Sequence, residues 1–101
     1  MTYQFLQLEQ QNQVATVWIN RAELHNAFNT QVIEELHACF QALNSRDDVR
    51  VVVLAGRGKS FSAGADLNWM KQAGQASQAE NEADALKLAK MLQSLATLKQ
   101  P

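Results

Sequence analysis

The stretch Lys59-Ser60-Phe61-Ser62-Ala63-Gly64-Ala65-Asp66-Leu67 is where this sequence could do chemistry. A strand-like segment leads into residues with almost no side chain, and an acidic residue then opens a helical pattern. Gly64 lets backbone approach a ligand closely. A helix start presents unpaired N–H groups and the positive end of its dipole. An N–H at Ala65 is therefore placed to bind an oxygen that gains negative charge, and Asp66 suits the first turn of that helix. On these residues alone, a plain strand-to-helix turn reads as well as a site.

Other chemistry around the same loop fails on spacing. Gly58-Lys59-Ser60 could end a phosphate-binding P-loop, but the pattern needs glycine where Val53 stands. The dinucleotide pattern fits Gly56 and Gly58 and then meets Phe61. A nucleophile elbow centred on Ser60 fails at Ser62, and one centred on Ser62 fails at Ser60. Both serines read as loop residues. His37 and Cys39 are two positions apart on a helix and share no face, so no metal site is expected. His37 reads as a helix-surface or boundary residue. His25, in a loop, reads equally as a solvated histidine or a ligand contact.

These residues need a scaffold. Tyr3–Gln10 alternates loosely and reads as an edge strand, and Val14–Asn20 as a second strand paired to it. The polar break Gln11-Asn12-Gln13 joins them without the Asn-Gly or Asp-Gly of a tight hairpin. Arg21–Phe28 has no period and is a loop. Asn29 or Thr30 can cap the helix that follows. There Val32, Ile33, Leu36, Phe40 and Leu43 recur at helical spacing, and Glu34 and Glu35 read as its wet face. Val49–Gly56 looks like a strand buried on both faces, as in parallel sheets. With the preceding strand and helix it makes a βαβ unit. Phe61–Gly64 is strand-like, Asp66–Gln72 a short helix and Gly74–Gln78 a small-residue hinge. Ala85, Leu88, Leu92 and Leu95 mark a long amphipathic helix, with Glu80 and Glu82 near its acidic start.

At 101 residues the chain is one domain or less. A formal net charge of −1 leaves no basic footprint for nucleic acid. The lone Cys39 cannot close an internal disulfide, which points to a reducing, cytoplasmic setting. The N-terminus has neither a basic n-region nor an apolar h-region, and the apolar run Val51–Gly56 is far short of a membrane span. The helical pattern runs to Leu98 and the chain stops at Lys99-Gln100-Pro101, a hint that more follows in a parent protein.

Two segments carry a family resemblance. FSAGADL, from Phe61 to Leu67, is similar to the AGADL-type signature of the crotonase (enoyl-CoA hydratase) superfamily. Asn20-Arg21-Ala22-Glu23-Leu24-His25-Asn26-Ala27-Phe28 resembles that family's NRPxxxNAL stretch, with Ala22 where proline is usual. The helix and apolar strand between them also match. The resemblance covers nearly the whole chain, and the fuller string FSAGADLNWM most resembles methylglutaconyl-CoA hydratases.

The resemblance implies an α/β fold: the N-terminal portion of a crotonase-like ββα spiral with two stacked sheets. Residues 1–101 would then be the N-terminal part of an acyl-CoA-binding domain. It implies a hydro-lyase adding water across the 2,3 double bond of an enoyl-CoA, with 3-methylglutaconyl-CoA as the substrate expected. An enoyl-CoA isomerase on the same scaffold, or a non-catalytic acyl-CoA-binding or assembly fragment, are the alternatives. By position, the Ala65 N–H resembles one oxyanion donor. Ala63, Gly64, Asp66 and Leu67 would line the CoA path, Leu24 and His25 would meet CoA from the other loop, and Met70 would line the acyl pocket. Arg57 or Lys59 would meet CoA phosphates or stay solvated. The family's two acid–base glutamates and second donor lie beyond residue 101, and none of Glu23, Glu34, Glu35, Glu80 or Glu82 matches them. No metal or cofactor is implied, CoA being part of the substrate. The parent is expected to form a homotrimer or hexamer.

Overall fold

The structure, a computed structural model, describes residues 3–58, 61–62, 64, 67–75 and 77–100; of residues 67–69 and 73 it describes the backbone. The elements run β1 (Leu6–Gln11), β2 (Val14–Ile19), a 3-10 turn (Ala22–Leu24), α1 (Thr30–Asn44), β3 (Val51–Gly56), α2 (Leu67–Gln75) and α3 (Gln78–Ala96).

β1 and β2 form the expected hairpin, antiparallel with Leu6 opposite Ile19 and Gln11 opposite Val14. Asn12 turns the chain with φ 56°, a left-handed value that asparagine tolerates better than most residues. β3 pairs with β2 in parallel, Val17 opposite Leu54, giving the order β1-β2-β3. Gln13 carbonyl oxygen accepts from Arg50 N at 2.8 Å, which sets β3 against the end of the hairpin.

The first strand begins at Leu6 rather than Tyr3. Phe5 N donates to Glu35 Oε1 at 3.0 Å, which takes the leading residues onto α1. Glu35 is therefore buried, correcting its reading as wet face. Glu34 is the exposed one, paired with Lys87 at 3.1 Å.

Asn29 caps α1, its Oδ1 accepting from Val32 N at 2.9 Å. The apolar stripe of α1, joined by Cys39, packs on Leu6, Ala15, Val17 and Ile19 to make the core. That helix covers one sheet face. Among the described residues the other face is covered only in part, by Arg57 over Trp18, and Val51 and Val53 stay 39% and 41% exposed. The expectation that β3 is buried on both faces does not hold for these residues. Val49, by contrast, is a core residue ahead of the strand.

Ser77 caps α3 by accepting from Glu80 N at 3.1 Å, and Glu80 supplies the acidic first turn. Gly74 and Gln75 belong to α2, so the expected hinge shrinks to the junction around Ser77. α3 packs on α1 through Leu88, Met91 and Leu95, whereas Ala85 and Leu92 face outward. The end of the chain locks this pair: Gln100 Nε2 donates to the Leu43 carbonyl at 2.7 Å, and Lys99 N to Asn44 Oδ1 at 2.9 Å. The Leu43 carbonyl, which also accepts from Arg46 N at 3.0 Å, thus has a second donor at the end of α1.

Candidate active site

The loop after β2 and the loop after β3 are tied to each other, and Asn26 is the knot. Its side chain is fully buried. Oδ1 accepts from Arg21 N at 2.8 Å, closing the loop on itself, and Nδ2 donates to the Arg57 carbonyl at 2.7 Å, reaching across. His25 and Asn26 both take left-handed φ, at 53° and 56°, a conformation that costs about 1 kcal/mol or more per residue outside glycine. The Asn26 bonds offset that cost.

Arg21 folds under the same loop. Its guanidinium donates to the Ala27 carbonyl at 2.9 Å and lies 5.2 Å from the Phe5 ring centre.

The second loop is fitted to the first at three points. Gly56 has no room for a side chain: a Cβ there would sit 2.5 Å from the Phe61 carbonyl oxygen and 2.8 Å from Asn26 Nδ2. Ser62 Oγ donates to the Asn26 carbonyl at 2.9 Å and accepts from Gly64 N at 3.1 Å. Phe28 N donates to the Gly64 carbonyl at 2.6 Å. Gly64 itself has φ 90°, which favours glycine, and open space where a Cβ would be. The result is a turn whose backbone is held by the first loop, with no described atom within 4 Å of where a Gly64 Cβ would be.

With this geometry in place, the comparisons are decisive about family. The family model for enoyl-CoA hydratase/isomerase matches residues 9–99. The chain belongs to this family.

A probable enoyl-CoA hydratase from Rhizobium meliloti (strain 1021) is 38% identical over 71 residues, covering 70% of this chain and 28% of that protein. A mitochondrial Delta(3,5)-Delta(2,4)-dienoyl-CoA isomerase from Mus musculus is 39% identical over 85 residues, covering 84% of this chain and 25% of that protein. Among solved structures, an enoyl-CoA hydratase from Shewanella pealeana ATCC 700345 superposes with a TM-score of 0.94 at 32% identity, over 97% of this chain and 37% of that one. The fold is thus that of the crotonase superfamily. The chain spans roughly a quarter to two-fifths of the length of these relatives.

The residues expected at the site lie on both loops and on α2. Leu24 and His25 are exposed on the first loop, and Gly64 is exposed on the second. The bonds through Asn26, Ser62 and Phe28 bring those two loops together. Met70, on α2, is half exposed. Leu67 begins α2. Lys59, Ala63, Ala65 and Asp66, with the side chain of Leu67, lie outside the described residues.

Arg57 is engaged elsewhere. Its guanidinium stacks 3.9 Å from the Trp18 ring centre and pairs with Glu9 at 2.8 Å on the outer sheet face. Arg57 thus has an ion-pair partner within its own chain. Among the described residues no group of histidine, cysteine, aspartate and glutamate could hold a metal ion. No described helix is long and apolar enough to cross a membrane.

Asn26, Gly56 and Ser62 escaped nomination from sequence. Asn26 stood inside the recognised stretch, and a buried asparagine with positive φ is its structural signature. Nothing in the sequence shows that its amide meets a carbonyl 31 residues away.

Proposed function

We propose that the parent protein is an enoyl-CoA hydratase, adding water across the 2,3 double bond of an enoyl-CoA, and that this chain supplies one oxyanion donor and part of the CoA cradle. The observation that carries the reading is the pair of tied loops, which hold Gly64 at φ 90° with no described atom within 4 Å of its Cβ position. In this reading, which rests on the match of Ala65 to the family signature, its N–H meets the thioester oxygen. As water adds, that oxygen gains enolate charge, and a fixed donor stabilises it more than the ground-state carbonyl. One such donor is worth about 3–4 kcal/mol of barrier.

In this reading Leu24 and His25 meet CoA from the first loop. Ala63, Gly64, Asp66 and Leu67 line the adenine and pantetheine path, and Met70 borders the acyl group. The substrate proposed is 3-methylglutaconyl-CoA, on the strength of the FSAGADLNWM string. The thioester is the substrate and no further cofactor takes part. The acid–base pair comes from outside these 101 residues, so the chain alone turns over no substrate. The whole protein acts as a trimer or hexamer in the cytoplasm.

A second reading, an isomerase moving the double bond of an enoyl-CoA, is supported by the murine relative, whose name gives it a dienoyl-CoA isomerase activity. Titration calorimetry of the chain with crotonyl-CoA tests the shared part of both readings. Weak binding that falls several-fold in Ser62→Ala, which frees Gly64 N and the Asn26 carbonyl, is the expected result. Binding untouched by that change would remove the Gly64 turn from the site. Assay of the whole protein with 2-enoyl and 3-enoyl thioesters then separates hydratase from isomerase.

A further inference from the structure

A groove of about 480 Å³ runs between α1 and α3, apart from the tied loops. His37, Gln41 and Asn44 line it from α1, and Lys90, Ser94 and Thr97 from α3 and its C-terminal cap. No carboxylate lines it among the described residues.

The hydrogen bonds within it fix what it offers a ligand. Ser94 Oγ donates its single proton to the Met91 carbonyl at 2.6 Å. The same oxygen lies 3.2 Å from His37 Nδ1, so in that contact it must accept. His37 is therefore protonated at Nδ1, and Ser94 is no nucleophile activated by the imidazole. This leaves Nε2 with a lone pair in the neutral ring and an N–H in the imidazolium, and taking up the proton disturbs no existing bond.

Asn44 and Lys90 are the donors that face the groove, and Thr97 is an acceptor. Asn44 Oδ1 is used by Lys99 N at 2.9 Å, which leaves its amide hydrogens for a ligand. Thr97 Oγ1 donates to the Gln93 carbonyl at 2.8 Å, so toward a ligand that hydroxyl accepts. The Lys90 ammonium has no ion pair among the described residues. Glu34 on α1 pairs with Lys87 on α3 at 3.1 Å, Asp47 pairs with Lys99 at 2.6 Å, and Glu35 is buried against Phe5 N.

We propose that this groove binds a small, freely diffusing oxyanion of the phosphate or sulfate class, held by Lys90 and Asn44 and by His37 in its imidazolium form. The neutral ring opposes the ligand with its Nε2 lone pair, and protonation converts that opposition into a charged donor. Binding is thus gated by acidification, independently of the acyl-CoA reading.

Sulfate is the probe, because it stays a dianion throughout the range in which imidazoles titrate. Long-range proton–nitrogen spectra at about pH 8 should show His37 carrying its proton on Nδ1, and titration at about pH 5.5 should move the signals of His37, Asn44 and Lys90 together. Affinity should fall about tenfold or more at the higher pH, and by a similar factor in Lys90→Gln. His37→Gln should keep the fold and abolish the pH dependence. A neutral ring protonated on Nε2 would overturn the proposal. So would sulfate shifts that are absent, or that persist unchanged in Lys90→Gln.

Discussion

At the scale of the residue, the candidate site depends on a side chain that touches no substrate in this account. Asn26 satisfies two backbone groups in two loops. Replacing it with alanine leaves a buried N–H and a largely buried C=O without partners. The expected cost is about 2–3 kcal/mol, read from urea unfolding. Asn26→Asp should do no better, because it sets a carboxylate oxygen against the Arg57 carbonyl. Equal stability of the alanine variant and the parent would mean the loops are tied by something else. Gly64 was legible as a turn residue because its requirement is local: a φ of 90° favours glycine. Asn26 and Glu35 were not legible, since each takes its role from a partner 30 or 31 residues away. Glu35 in particular has a surface residue's composition and a buried residue's environment.

Among the elements, α1 was readable almost to the residue, because its stripe, its cap and its polar end agree. α3 was readable as a helix but not in phase. Ala85, Leu88, Leu92 and Leu95 and the stripe actually used, Leu88, Met91 and Leu95, both fit a helical period. Only the position of α1 selects between them. Met91 is 2% exposed and Leu92 is 50% exposed. Met91→Ala should therefore cost about 2–5 kcal/mol, by transfer and cavity terms. Leu92→Ala should stay within about 0.5 kcal/mol, as is usual at exposed positions. Denaturant midpoints of the two variants check this directly, and similar losses in both would put the helix in the other phase. β3 shows a different limit. Its run of valines has the composition of a strand covered on both faces, and composition does not say which residues supply the cover.

For the whole molecule, the leading segment reports on packing through its titration. Burial, followed by the neighbouring Cys39, pushes the Tyr3 hydroxyl from its ordinary 10.0 up to about 12. Burial also raises Cys39, outweighing the opposing bond from Tyr3. Both are acids that the fold keeps neutral. Their contribution is complete below the unfolded values and is lost as pH rises through the folded ones. The stability of the chain should accordingly decline between pH 10 and pH 12. Tyr3→Phe should flatten that decline, as followed by thermal melts across the range. An unchanged slope would mean that Tyr3 is solvated.

Backbone amide spectra during titration with a CoA thioester test whether the two tied loops form part of an acyl-CoA cradle. Concerted shifts are expected at Leu24, His25, Gly64 and Ala65, with the largest at Ala65 if its N–H meets the thioester oxygen. Shifts that bypass both loops, or that leave Ala65 unmoved while the ligand binds, would contradict that role.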